Sequence, residues 1–198
     1  MNIEQSERRS CNESAERCFG TAYIFEQRAR PLRNALKVLS FSSLAGPLSI
    51  GILVVAVGTE SGMLPYAIFT ASVLSALQVI VSLWSLTSKW QENFTYYIES
   101  KADNYYLADK FQSLAKKTVG TEAEWRQGSE LLETLGGLRS KTDYQHDISD
   151  EEKRMGMKAS LRNFQRECVG CKSTPTSMEP SDCTVCGDYK KRVIKWLM

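Results

Sequence analysis

Four cysteines near the C-terminal end carry the clearest chemistry in this sequence: Cys168-Val-Gly-Cys171 and, eleven residues on, Cys183-Thr-Val-Cys186. Two Cys-x-x-Cys knuckles bring four thiolates within reach of one ion, and Zn²⁺ takes four of them as a closed tetrahedron. Gly170 and Gly187 stand where each knuckle turns tightly enough to aim backbone amides at sulfur. With cysteine at all four positions no site is left for a reactive water, so the expected zinc is structural. A module this short depends on its metal to fold. Two readings compete: a pair of disulfides, which asks for an oxidising compartment, and a thioredoxin-like redox pair, which asks for a βαβ pattern absent around these residues.

A second set of polar residues lies in an apolar stretch. Ser75, Gln78, Ser82 and Ser85 recur at spacings of three, four and three, which puts them on one face of a helix. Polar groups in hydrocarbon seek partners, so that face meets protein or water. It is either helix-packing glue within a monomer or dimer, or the lining of a pore built by several subunits. Ser42 and Gly46 form a small-xxx-small pair with Ser49 one turn on. Catalysis is not expected. The single histidine, His146, sits in a polar linker, Asp143-Tyr-Gln-His146-Asp147, and reads as a surface residue. The chain has no glycine-rich phosphate loop, paired-carboxylate motif or metallohydrolase signature.

Charge mapped along the chain shows what must position these groups. Charged residues make up 24% of 198, with a net charge of +2 that points to no particular partner. Yet none occurs between Lys37 and Glu60, or between Glu60 and Lys89. A bilayer core needs about 20 apolar residues in a helix, and Val38 to Val57 and Leu64 to Leu86 each supply that. Buried core helices of a soluble protein are the alternative, but those usually run about 10 to 14 residues. The first apolar run begins too late, behind a charged segment, for a secretory signal. Arg28, Arg30, Arg33 and Lys37 precede the first span and Lys89 follows the second, whereas the connector Gly58-Thr-Glu-Ser-Gly62 has no Lys or Arg. By the positive-inside rule both ends face the cytoplasm, which predicts a multi-pass membrane protein in contact with the lipid bilayer.

The flanking segments read as helices. Cys11, Ala15, Cys18, Ala22, Phe25, Ala29, Leu32 and Leu36 form a narrow seam of small and apolar residues. Pro31 falls within it and predicts a joint. Beyond the second span, Trp90, Phe94, Tyr97, Tyr105, Ala108, Phe111 and Ala115 keep helical register, with Lys101 on the same line. They predict that the second membrane helix continues into the cytoplasm and packs on the N-terminal helix. Thr121-Glu-Ala-Glu124 has the form of a capping box opening a helix that Gly136-Gly137 ends. Ser149-Asp-Glu-Glu152 opens another, carrying Met157, Leu161, Phe164 and Cys168. The basic tail Tyr189 to Met198 offers a weak case for nucleic acid or anionic lipid, against simple packing on the module.

The expected fold is therefore mostly α: a two-transmembrane helical hairpin with cytoplasmic helical extensions and a small zinc-binding module. Its segments are 1–37 (N-terminal helix), 38–88 (hairpin), 89–163 (helical region) and 164–198 (cysteine module). A cytoplasmic helix, two spans joined by a tight turn and a long helix leaving the second span resemble the SLATT group over residues 12 to 118. These are two-transmembrane effectors found with bacterial nucleotide-second-messenger and mobile-element defence systems. The spacing from Cys168 to Cys186 is similar to that which labels a family of mobile-element proteins, C-x2-C-x11-C-x2-C. The resemblance implies an oligomerising pore-forming or membrane-disrupting effector in antiphage defence, triggered by a nucleotide second messenger or a sensor protein. The alternative is a membrane-anchored adaptor whose zinc module binds a protein or nucleic acid.

Overall fold

The computed structural model describes residues 3–57, 62, 64–116 and 122–190. Five α-helices account for most of them: α1 Ile3–Val57, α2 Leu64–Thr87, α3 Trp90–Lys116, α4 Glu122–Asp143 and α5 Asp150–Asn163. A 3₁₀ turn, Tyr144–His146, separates the last two. No strand occurs among the described residues. The chain divides into two compact units, one of Met1–Arg28 with Tyr96–Met198, the other of Ala29–Thr95.

In the first unit the N-terminal seam is buried as its small residues require: Cys11, Ala15, Ala22 and Phe25 are at most 1% exposed. Cys11 and Ala15 join Leu107, Phe111 and Ala115 of α3 in one core, with Trp125 and Leu132 of α4 and Phe164 packed on it. Burying rings such as Phe25 and Phe111 contributes roughly 1.5–3 kcal/mol each. Where α1 crosses α5 the backbones touch. A Cβ added to Gly156 would lie 2.7 Å from the Gly20 carbonyl oxygen and 2.9 Å from Ile24 Cδ1. Neither helix can retreat without opening the core, so Gly156→Ala is expected to destabilise by about 1–3 kcal/mol. Gly137→Ala meets open space and is expected to be neutral or to stabilise by up to about 1 kcal/mol. Thermal melts of the two variants in one detergent check this pair, and equal midpoints would refute the close crossing.

Several helix ends depart from the sequence expectation. The helix beginning at Trp90 does not continue the second span. Lys89 takes a left-handed φ of 52°, Ser88 N–H donates to the Trp84 carbonyl, and a new helix starts from the Lys89 carbonyl. α4 runs through Gly136-Gly137 to Asp143. Gly136 leaves room for the Phe111 ring, 3.7 Å from where its Cβ would be, and tertiary hydrogen bonds hold Asp143 at the far end. Thr121, its proposed cap, lies outside the described residues. Ser149 does cap α5 in a capping box with Glu152, but that helix stops at Asn163, so Phe164 is its C-cap and Cys168 lies beyond it. Met157 is 42% exposed, and Leu161 carries the packing. α1 passes through Pro31 unbroken. Proline removes one intrahelical donor, and the helix continues on both sides of it.

In the second unit α1 and α2 meet at Gly46, whose missing Cβ would sit 3.5 Å from Gln78 Oε1. Hydroxyls of Ser42, Ser49, Ser72 and Thr87 donate to carbonyls of their own helix, which hides them from an apolar surrounding. Most of the described large apolar side chains turn outward, among them Phe41, Leu48 and Val55 of α1 and Phe69, Leu77 and Leu83 of α2. Among the described residues one helix is long and apolar enough to cross a membrane: Ile68–Thr87, 20 residues at mean hydropathy 1.7, with 6% of it buried. Some side chains of the expected first span, and all of the connector but Gly62, lie outside the described residues.

Candidate metal centre

The residues after α5 make two tight turns that face each other. Cys168 N–H donates to the Ser173 carbonyl and Lys172 N–H to the Cys168 carbonyl, closing the first loop with Lys172 at a left-handed φ of 55°. Gly187 and Asp188 N–H both donate to the Cys183 carbonyl, closing the second. A side chain at Gly187 would overlap Ser181, and one at Gly170 would lie 2.8 Å from Val185 Cγ2 and 3.2 Å from Cys183 Sγ. Both glycines are therefore required by space. Gly170 N–H also points at Cys168 Sγ, 3.4 Å away.

These turns gather Cys168, Cys171, Cys183 and Cys186, with all four Sγ atoms within 4.8 Å of one another. Two of the separations, Cys168 to Cys183 and Cys171 to Cys186, are 3.9 Å. A tetrahedron with metal–sulfur bonds of about 2.3 Å has sulfur–sulfur edges of about 3.8 Å, whereas a disulfide needs about 2.05 Å. The cluster thus fits a metal ion bound by four thiolates, and all four cysteines are free.

The electrostatics of the four thiols are uneven. Hydrogen bonds from the Ser173 side chain and backbone lower the exposed Cys171 to about 6. Cys183 is lowered by the backbone amides of Cys186 and Val185. Burial, reinforced by its thiol neighbours, pushes Cys186 well above the usual thiol range. Metal ligation needs thiolates. Cys171 supplies one at neutral pH, while Cys186 must give up a proton.

The module is seated on α5. Cys168 and Cys186 are buried with Leu161, Arg154 pairs with Asp188 at 3.2 Å, and Lys158 donates to the Glu179 carbonyl. Arg166 reaches α1 through Glu16 at 2.6 Å. Tyr189 is 8% exposed and donates to the Met178 carbonyl at 2.9 Å. Burial raises its phenol to about 12. The basic tail beyond Lys190 lies outside the described residues.

The four polar residues of α2 are not equivalent. Ser75 is exposed, Gln78 and Ser82 are half-buried, and Ser85 is 7% exposed. His146 is no free surface residue. Its ring stacks on Tyr96 at 3.7 Å, and burial, with Arg28 nearby, lowers its pKa. Sequence reasoning missed the polar hub beside it. Asp143, 3% exposed, accepts from Tyr96 at 2.6 Å, Ser100 at 2.7 Å and Asn104 at 2.7 Å, and pairs with Arg139 at 3.1 Å. The Arg139–Asp143 spacing of four was its only sequence signal. Arg28, counted above among the charges that set orientation, also clamps this end. Its guanidinium donates to both Glu152 carboxylate oxygens, at 2.9 and 2.7 Å, and to the His146 and Asp147 carbonyls, at 2.6 and 2.7 Å.

Comparison with known proteins gives one family: the model described as "Mobilome CxxCx(11)CxxC protein" matches residues 8–189. No curated protein and no solved structure matches the chain.

Proposed function

Because the chain belongs to the family of mobilome CxxCx(11)CxxC proteins, we propose that it is a zinc-stapled membrane effector of a mobile-element-borne antiphage defence system. In this reading α2 and the second half of α1 form a SLATT-like two-span hairpin in the bacterial inner membrane, with both termini cytoplasmic. Several copies assemble into a pore, or disrupt the bilayer, once a nucleotide second messenger or a sensor protein acts on the cytoplasmic unit. The observation that carries it is the second unit itself: two helices whose large apolar side chains face outward while Gln78, Ser82 and Ser85 are turned away from full exposure. A patch of that kind on a water-soluble surface would drive association, whereas lipid accepts it. The cysteine module supplies no chemistry to such a function. Zinc bound there would hold the two knuckles together as a fixed seat on α5.

The second reading, a membrane-anchored adaptor, is favoured by Gln78 lying against Gly46, since that contact uses the polar face as packing glue. A double variant separates the two. Gln78→Leu with Ser82→Leu keeps α2 apolar enough to insert and dries any water path along it. Under induced expression followed with a membrane-potential dye and a viability count, the effector reading expects depolarisation and killing by the wild type and neither by the variant at equal membrane abundance. A variant as toxic as the wild type would leave the polar face as packing alone.

A further inference from the structure

In the first unit few large apolar side chains reach the surface, and three of them share one helix. Leu131, Leu135 and Leu138 of α4 are 60%, 43% and 61% exposed. Their spacing of four and three makes a continuous stripe, set off from the face that packs Trp125, Leu132 and Gly136 against α3. The same helix is polarised in charge. Glu122, Glu124, Glu130 and Glu133 outnumber Arg126 in its first two thirds, and Arg139 and Lys141 outnumber Asp143 in its last third.

We infer that this stripe is a self-association surface, on which α4 of a second copy of the chain docks antiparallel about a two-fold axis near Leu135. Antiparallel pairing sets Leu131 of one copy beside Leu138 of the other. It also brings each Lys141 within a helical turn of the partner copy's Glu130, which lies on the same flank of the stripe, and opposes the two helix dipoles. A parallel pair would instead stack the acidic ends together. Two-fold symmetry makes each contact occur twice, so one stripe and one charge gradient suffice. The inference deepens the effector reading by naming a cytoplasmic contact between its copies, and it rests on that reading only for the purpose of the contact.

Full-length protein in native membranes carrying Leu135→Cys, treated with a short bismaleimide, is expected to give a cross-linked dimer that the wild type and a Tyr144→Cys control do not. Adding Leu131→Glu and Leu138→Glu, both at exposed positions, is expected to abolish that band with an unchanged proteolysis pattern. Lys141→Glu is expected to lower the yield, and adding Glu130→Lys in the same chain to restore it. Absence of the Leu135→Cys dimer, or a dimer indifferent to the glutamate substitutions, overturns the surface. A restored yield is specific to antiparallel self-pairing, and an unrestored one overturns that geometry. The band is read without reference to conduction, so an intact dimer in a non-toxic protein would refute the effector reading and leave this surface standing.

Discussion

Cys171→Ser with Cys186→Ser is expected to remove the bound metal and release the residues after Phe164 from their seat on α5. Purified wild-type protein, prepared under reducing conditions, should hold about one zinc per chain by elemental analysis, as one four-thiolate site takes one ion. The two substitutions leave Cys168 and Cys183, which lie 3.9 Å apart and give too few ligands for a closed site. Apparent binding free energies of structural zinc in small modules are on the order of 10 kcal/mol. The turns around Cys168 and Cys183 have no helix or strand of their own to replace that energy. Limited proteolysis should then cut between Phe164 and Tyr189 in the variant, or in wild type treated with a chelator, under conditions that spare the untreated wild type. Stoichiometric disulfide without metal in the wild type would sink the zinc assignment. Equal protease resistance of the metal-free protein would mean that packing against Leu161 suffices.

The second large effect is expected at Asp143. Asp143→Ala strips the acceptor from Tyr96, Ser100 and Asn104 at once and takes from Arg139 its buried partner. Breaking a buried pair costs about 3–5 kcal/mol, and the lower end applies here because Arg139 keeps Asp103 at 2.9 Å. The cost is local at first. Asp143 joins the end of α4 to α3 and precedes the turn whose His146 and Asp147 carbonyls receive Arg28. The unfolding midpoint followed by circular dichroism in detergent should fall well below that of the wild type. Lys141→Ala, an exposed change two residues away, should leave it in place. Comparable midpoints for the two would show that the hub is not a source of stability.

What the sequence determined by itself was local. The spacing of the four cysteines fixes which thiols a short chain can gather, because two-residue knuckles leave few ways to turn, and the structure brings the same four together. The seam from Cys11 to Phe25 was legible because small residues at spacings of four and three serve a close helix contact, and Cys11, Ala15, Ala22 and Phe25 are buried with Cys18 half-buried between them. The Ser149 cap was legible for the same reason, since its partners lie within three residues. The apolar stretch of α2 announced its length and character through composition alone.

What only the tertiary structure decided were the helix ends and the polar interior, where the deciding partner lies far away in sequence. Gly136-Gly137 has every local mark of a stop, yet Phe111 fills the space beside it and Tyr96, Ser100 and Asn104 hold Asp143 beyond it. Gly20 and Gly156 look like helix weaknesses until the two backbones are seen to touch. Arg28 reads as one basic residue among several before a span, and becomes a clamp only when Glu152, 124 residues later, presents its carboxylate. A propensity or a spacing costs or contributes about 1 kcal/mol at a single position, whereas a buried hydrogen-bonded charge or a closed backbone crossing is worth several times that. The nonlocal partner therefore prevails wherever the two conflict.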